Sequence, residues 1–160
     1  MDPLAVLSTG SNFQIKPAGN VRELRRAIGV PSEPDPPRPH LLVVDDDKLM
    51  RETVGRGLIH AGFEVAEAAE GDEALRRLSD RPADVVIVDI FMPRKDGIEL
   101  IREVRRKWPN TRILAMSGGN RFFQQDMLAA ARALGADASL DKPFMPSELI
   151  ATVRRLLTED

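Results

Sequence analysis

The sequence predicts an α/β fold: a doubly wound parallel sheet of five strands, with five helices distributed over its two faces. Two observations predict it. After residue 39, short apolar runs alternate regularly with longer stretches whose apolar residues recur every three to four positions. The short runs are continuously apolar, as strands are when helices cover both faces.

Leu41–Val44 is the first such run, followed by a helical stretch in which Met50, Val54, Leu58 and Ala61 share one face and Gly62 ends it. Phe63 to Ala68 reads as a second, shorter strand. A helix from Asp72 to Ser79 follows, closed off by Pro82. Val85–Val88 is the third strand and the most β-branched. Ile98, Ile101, Val104 and Trp108 mark the apolar face of the next helix, stopped by Pro109. Arg112 to Met116 is the fourth strand, Phe122 to Leu134 a helix with Gly135 behind it, and Ala136 to Leu140 the fifth strand. Pro146 suits a first helical turn and opens a last helix whose Leu149, Val153 and Leu156 face inward. Arg76 and Arg77, Arg105 and Arg106, and Arg154 and Arg155 lie towards helix C-termini, where they oppose the dipole; this explains them better than a nucleic-acid patch does.

A composition shift near residue 39 divides the chain into an extension, 1–38, and a domain over 39–158. Residues 31–39 hold five prolines and read as a stiff extended linker. Before it, Asn20 to Ile28 fits a short helix with Asn20 as cap and Gly29 behind. That segment is too small for a core of its own and reads first as a mobile tail, second as a docking segment. The 160 residues carry a net charge of -2, which gives no general attraction to nucleic acid or anionic lipid. With no cysteine, disulfides and thiolate metal sites are excluded, and two distant histidines make no metal site. No apolar run is long enough to span a bilayer and no secretory signal is visible, so a cytoplasmic protein is expected.

In an open α/β sheet, ligands bind beyond the carboxyl ends of the strands. There the sequence places Asp45, Asp46 and Asp47 after strand one and Asp89 after strand three. Ser117, Gly118 and Gly119 follow strand four, and Asp141, Lys142 and Pro143 follow strand five. Singly, each has an ordinary explanation: Asp47 as a helix cap, Ser117 as a turn residue, Lys142 as a solvated cation. Together they are harder to dismiss. Crowded carboxylates repel unless a cation joins them, and an all-oxygen set suits magnesium. Beside Mg2+, Asp89 becomes a candidate nucleophile towards a phosphoryl group, with Lys142 and Ser117 to hold its oxygens. The glycines after Ser117 let the loop approach closely.

These residues resemble the receiver domain of two-component response regulators. The likeness rests on Val43-Val44-Asp45-Asp46, on the stretch Asp89 to Gly97 with its Met92-Pro93 and Asp96-Gly97 pairs, on Met116 to Gly119 and on Asp141 to Phe144. It implies a flavodoxin-like sheet with strand order 2-1-3-4-5. It also implies that Asp89 is the phosphoacceptor and that Asp46, Asp89 and the backbone carbonyl of Phe91 bind Mg2+, with Asp45 acting through water. Ser117 then stands at the family's switch position, with Gly118 beside it, and Lys142 at its phosphate-binding lysine. The Lys142–Pro143 bond matches one that is commonly cis in the family. Where receivers usually carry Tyr or Phe, three residues before that lysine, this chain has Ser139. A ring-flip switch is therefore not expected, and switching falls to the Ser117 loop and the helix after it. Phe91 is expected to pack on the loop and partly shield the acyl phosphate.

The resemblance implies a histidine kinase or histidine phosphotransfer protein as phosphodonor, docking on the first receiver helix around Lys48 to Thr53. It implies an output through the face of the fourth helix, fifth strand and fifth helix. Phe122, Phe123 and Met127 open that fourth helix, and at least one of the two phenylalanines is expected to be exposed. The last helix ends with the chain, so a stand-alone, chemotaxis-regulator-like receiver is expected. It would be a signalling switch rather than an enzyme, monomeric or weakly dimeric, with no membrane or nucleic-acid contact. Two alternatives remain. One is a haloacid-dehalogenase-type phosphatase with Asp45 as nucleophile, which lacks its last acidic motif here and leaves Asp89 unexplained. The other is a binding module that no longer takes phosphate.

Overall fold

The structure is a computed structural model; it describes residues 21–31, 34–92, 97–118 and 121–159, without the side chains of 21, 22 and 121–124. The Pro93 to Asp96 part of the turn after Asp89, and the expectation about Phe122 and Phe123, lie outside the described residues. The chain divides into two units, 1–37 and 38–160. Within the first, α1 (Val21–Ala27) is the helix expected before the linker.

In the second unit the elements run β1 (His40–Val44), α2 (Lys48–His60), β2 (Glu64–Ala68), α3 (Gly71–Asp80), β3 (Val85–Asp89), α4 (Gly97–Lys107), β4 (Arg112–Ser117), α5 (Arg121–Ala133), β5 (Ala138–Asp141) and α6 (Pro146–Thr158). All neighbouring strands pair parallel, in the order β2-β1-β3-β4-β5. This is the expected sheet. Alternate residues of each strand feed two cores. Leu42, Val44, Val86, Val88, Ile113 and Ala115 face α3, α4 and α5, while Leu41, Val43, Val85, Ile87, Leu114 and Met116 face α2 and α6. With both faces covered, the strands have no polar side to show, which is why they read as continuous apolar runs.

Local chemistry fixes the ends of these elements. Asp47 caps α2 by accepting the Met50 N–H at 3.1 Å, and Gly62 takes a positive φ of 100° behind it. Pro146 occupies the first turn of α6, and Glu148 reaches back to the Met145 N–H. One boundary differs from expectation by more than a single residue: β5 begins at Ala138, not Ala136. Gly135, at φ 121°, and Ala136 spend their N–H groups on Arg132 and Ala131 carbonyls, closing α5, so the ladder can start only afterwards. Arg105 is also more than a charge at a helix end. Its guanidinium donates to the carbonyls of Pro109, Thr111 and Gly135 and to Asp137, tying the α4–β4 and α5–β5 loops together at the edge opposite the acidic residues. Among the described residues, no helix is long and apolar enough to cross a membrane.

Candidate phosphoryl-transfer site

The strands end in register, and that delivers the polar residues together. Val44 pairs with Val88, Asp89 with Met116, and Ser117 with Asp141. Asp45 is fully buried. Its Oδ1 accepts the Asp47 N–H at 2.9 Å and its Oδ2 the Lys142 Nζ at 2.8 Å. The acidic triplet therefore splits into three roles: Asp45 is an internal anchor, Asp46 is exposed, and Asp47 caps α2. A nucleophilic Asp45, as the phosphatase alternative requires, has no exposed oxygen with which to attack.

Asp89 ends the central strand, only 6% exposed. Its Oδ1 accepts the Phe91 N–H at 3.0 Å, and its Oδ2 lies 3.4 Å from Lys142 Nζ. Burial raises its pKa above the usual aspartate value, and Asp45 adds to this, over the opposing pull of the Phe91 N–H and Lys142. For Lys142, burial works against the charged form, but the hydrogen bond to Asp45 and the nearby Asp89 outweigh it and its pKa is raised. The lysine is held as a cation between the two carboxylates.

Gly118 clears the path for this lysine: a Cβ there would lie 3.1 to 3.2 Å from the Lys142 stem. The Lys142–Pro143 bond is cis, and the Lys142 N–H donates to the Ser117 carbonyl at 2.7 Å. Ser117 is fully buried at the end of β4. Gly97 is where the sequence showed a motif but not its cause. A Cβ on it would collide with the Asp89 carbonyl and the Ile90 Cα, so α4 starts flush against the backbone that carries Asp89.

One oxygen from each of Asp45, Asp46 and Asp89 lies within 4.8 Å of the others. One ammonium among three carboxylates leaves about two negative charges uncompensated, and the donors are all hard oxygens, so the set fits a divalent ion such as Mg2+. Ser139 stands apart from this group, on β5, where its hydroxyl accepts from Arg132 at 2.7 Å. Phe91 is 42% exposed at the rim. Sequence reasoning missed Arg51, whose guanidinium donates to the Asp45 carbonyl at 2.7 Å. Its only signal was its place one turn into the helix that follows the acidic triplet.

Comparison with known proteins agrees with this geometry. Residues 41–154 match the response regulator receiver domain family. The response regulator MprA of Mycolicibacterium vanbaalenii is 41% identical over 118 residues, 73% of this chain and 49% of that protein. The transcriptional regulatory protein PrrA of Mycobacterium tuberculosis is 40% identical over 119 residues, 74% of this chain and 50% of PrrA. The chain thus spans about half the length of the curated relatives it matches. Among solved structures, the receiver domain of NtrX from Brucella abortus superposes with a TM-score of 0.70 at 30% identity, over 75% of this chain and 99% of that one. The chemotaxis protein CheY4 of Vibrio cholerae does so with a TM-score of 0.69 at 34% identity, over 76% and 100%. The order of the strands, the convergent acidic residues and the matched span agree: the chain belongs to the response regulator receiver domain family.

Proposed function

We propose that Asp89 accepts a phosphoryl group in an Mg2+-dependent reaction, from a histidine kinase or a histidine phosphotransfer protein, and that the phosphorylated chain signals by binding a partner. The observation that carries this is the convergence of Asp45, Asp46 and Asp89 within 4.8 Å, with Lys142 spanning Asp45 and Asp89. In the transfer, an Asp89 oxygen forms the new P–O bond as the P–N bond of the phosphohistidine breaks. The imidazole leaves with that electron pair and is protonated by solvent. Asp46, Asp89 and the Phe91 carbonyl would hold Mg2+, with Asp45 acting through water, and the ion would supply neutralisation of the carboxylates and of the phosphoryl oxygens.

Lys142 is already a cation and needs only to trade its 3.4 Å approach to Asp89 for a phosphoryl oxygen. Ser117 donates a hydrogen bond to another, drawing its loop towards the phosphate. Because Ser139 carries no ring, this motion passes to α5 rather than to a rotating aromatic. A partner that binds one arrangement of that face better than the other then reads the state. Phe91, being exposed, belongs to the rim that meets the phosphodonor and can shield the phosphate only in part.

Incubation with Mg2+ and acetyl phosphate tests the assignment. We expect a base-labile, hydroxylamine-sensitive phosphate that is absent in Asp89→Asn and in EDTA. Label that survives in Asp89→Asn refutes it, and an unlabelled wild type supports the phosphate-independent module.

A further inference from the structure

We propose that Arg51 is a positioning residue of the magnesium site, acting through the peptide that joins Asp45 to Asp46. The inference rests on the magnesium reading given above. Arg51 lies in the first turn of α2 and is only 14% exposed. Its Nη1 donates to the Asp45 carbonyl at 2.7 Å, and its Nε lies 3.3 Å from the Glu67 carboxylate on β2. Glu67 is the register partner of Val43, two residues before Asp45. Arg51 therefore bridges the neighbouring strand to the point where β1 becomes the acidic turn.

What it grips is informative. The Asp45 carbonyl belongs to the peptide plane that connects the buried Asp45 to the exposed Asp46. Turning that plane swings one carboxylate relative to the other, so a guanidinium held on the carbonyl fixes their convergence. A bare cation so close would repel Mg2+, and Glu67 offsets this by pairing with it. The planar fork matters as well, since an ammonium cannot hold carbonyl and carboxylate in fixed directions at once. Gly55, one turn further along α2, leaves room for the arrangement: a Cβ there would come within 2.7 Å of Glu67 Oε1.

The sign of the effect on Mg2+ affinity separates positioning from simple charge. If Arg51 were only a nearby positive charge, its removal would tighten Mg2+ binding. If it positions the turn, removal weakens it. The test is calorimetric titration of the full chain with MgCl2, beside thermal unfolding in EDTA. Arg51→Gln is expected to weaken Mg2+ binding about tenfold, in line with other groups that orient metal ligands. Arg51→Lys, which keeps the charge and loses the fork, is expected to recover only part of that loss. Gly55→Ala displaces Glu67 and is expected to weaken Mg2+ binding about threefold without lowering the midpoint in EDTA, because alanine favours the helix.

Arg51→Gln with unchanged or tighter Mg2+ binding overturns the proposal, as does full recovery in Arg51→Lys. If Arg51→Gln does not fold, Glu67→Gln and Gly55→Ala decide: wild-type affinity in both overturns it. A wild type that binds no Mg2+ is a different result, because it removes the magnesium reading itself.

Discussion

The three consecutive aspartates have different fates, and the difference comes from burial and register. Asp45 is locked internally, Asp46 is exposed and Asp47 is spent on a helix cap. Asp89 is held at some cost to the fold. Its folded pKa is raised, so relative to an ordinary value of 3.8 the ionised form is disfavoured on folding. Such a group costs stability at pH values above its unfolded pKa and nothing well below it. Asp89→Asn should therefore raise the unfolding midpoint at pH 7 in EDTA, and the gain should fade as the pH falls through the raised folded pKa and be gone below about 4. Under the proposed magnesium reading the ion should offset that gain: at ten times its Kd it would stabilise the wild type by about 1.4 kcal/mol, and a variant lacking a ligand would gain less. A midpoint lowered by Asp89→Asn at pH 7 in EDTA contradicts the assignment. A second prediction concerns Gly97, where a Cβ meets backbone that cannot swing aside. Gly97→Ala should lose about 2 kcal/mol, as overpacked sites do, and lose labelling at Asp89 with it. Gly57→Ala, with nothing within 4 Å of its Cβ, should gain up to about 1 kcal/mol in denaturant unfolding. The convergent residues proposed to carry the chemistry were legible because they are short motifs at strand ends. Arg51 was not, because its importance lies in a carbonyl 2.7 Å away, and backbone carbonyls leave no mark in a sequence.

At the scale of elements, the punctuation was mostly legible. Asp47 before α2, Gly62 after it and Pro146 in α6 each act as their chemistry dictates. The start of β5 was not legible, since Ala136 and Ala138 look alike and only the hydrogen bonds closing α5 assign them. The role of Arg105 was hidden for a similar reason, as its acceptors are carbonyls from loops 30 residues away and nearer. Some helix starts depend on a side chain reaching backwards. Glu73 on α3 accepts the Ala69 N–H at 2.9 Å, joining the end of β2 to the helix that follows. That backbone hydrogen bond, with help from Arg77 and against burial, lowers its pKa from the ordinary 4.5. A carboxyl with a lowered folded pKa stabilises the fold above its unfolded pKa, and the contribution is lost as the pH falls through the folded value. Glu73→Gln should thus cost about 1 kcal/mol at pH 7, where a charge-assisted bond becomes a neutral one. The gap to wild type should close below about pH 4. Urea unfolding of both proteins at several pH values measures this, and a gap that is independent of pH contradicts it.

At the scale of the whole receiver, alternating apolar runs predicted the layers, because a strand covered on both faces has to be apolar throughout. They did not order the strands; that came from the family likeness, since five similar apolar runs carry no label for their neighbours. Nor did they show what surrounds the acidic cluster. Leu49 is 75% exposed and Met145 64%, with Phe91 at 42% beside Asp89. Between α2 and α6 runs a groove of about 220 Å3 lined by Met50, Thr53, Pro143, Phe144, Leu149 and Ile150. Large exposed side chains beside a charged site are costly to keep in water unless something covers them during function. On the proposed function a phosphodonor protein brings its histidine to Asp89, so its contact surface would include this rim. A small donor such as acetyl phosphate reaches Asp89 without touching it. Docking and chemistry can therefore be separated by one surface substitution. Leu49→Asp should slow transfer from a phosphohistidine protein about tenfold, the effect of losing roughly 1.4 kcal/mol of contact. Labelling by acetyl phosphate should stay within about twofold of wild type, since an exposed helix position contributes little to stability. If both rates fall together, Leu49 supports the site itself. If neither moves, the phosphodonor docks elsewhere, and the apolar rim needs another occupant.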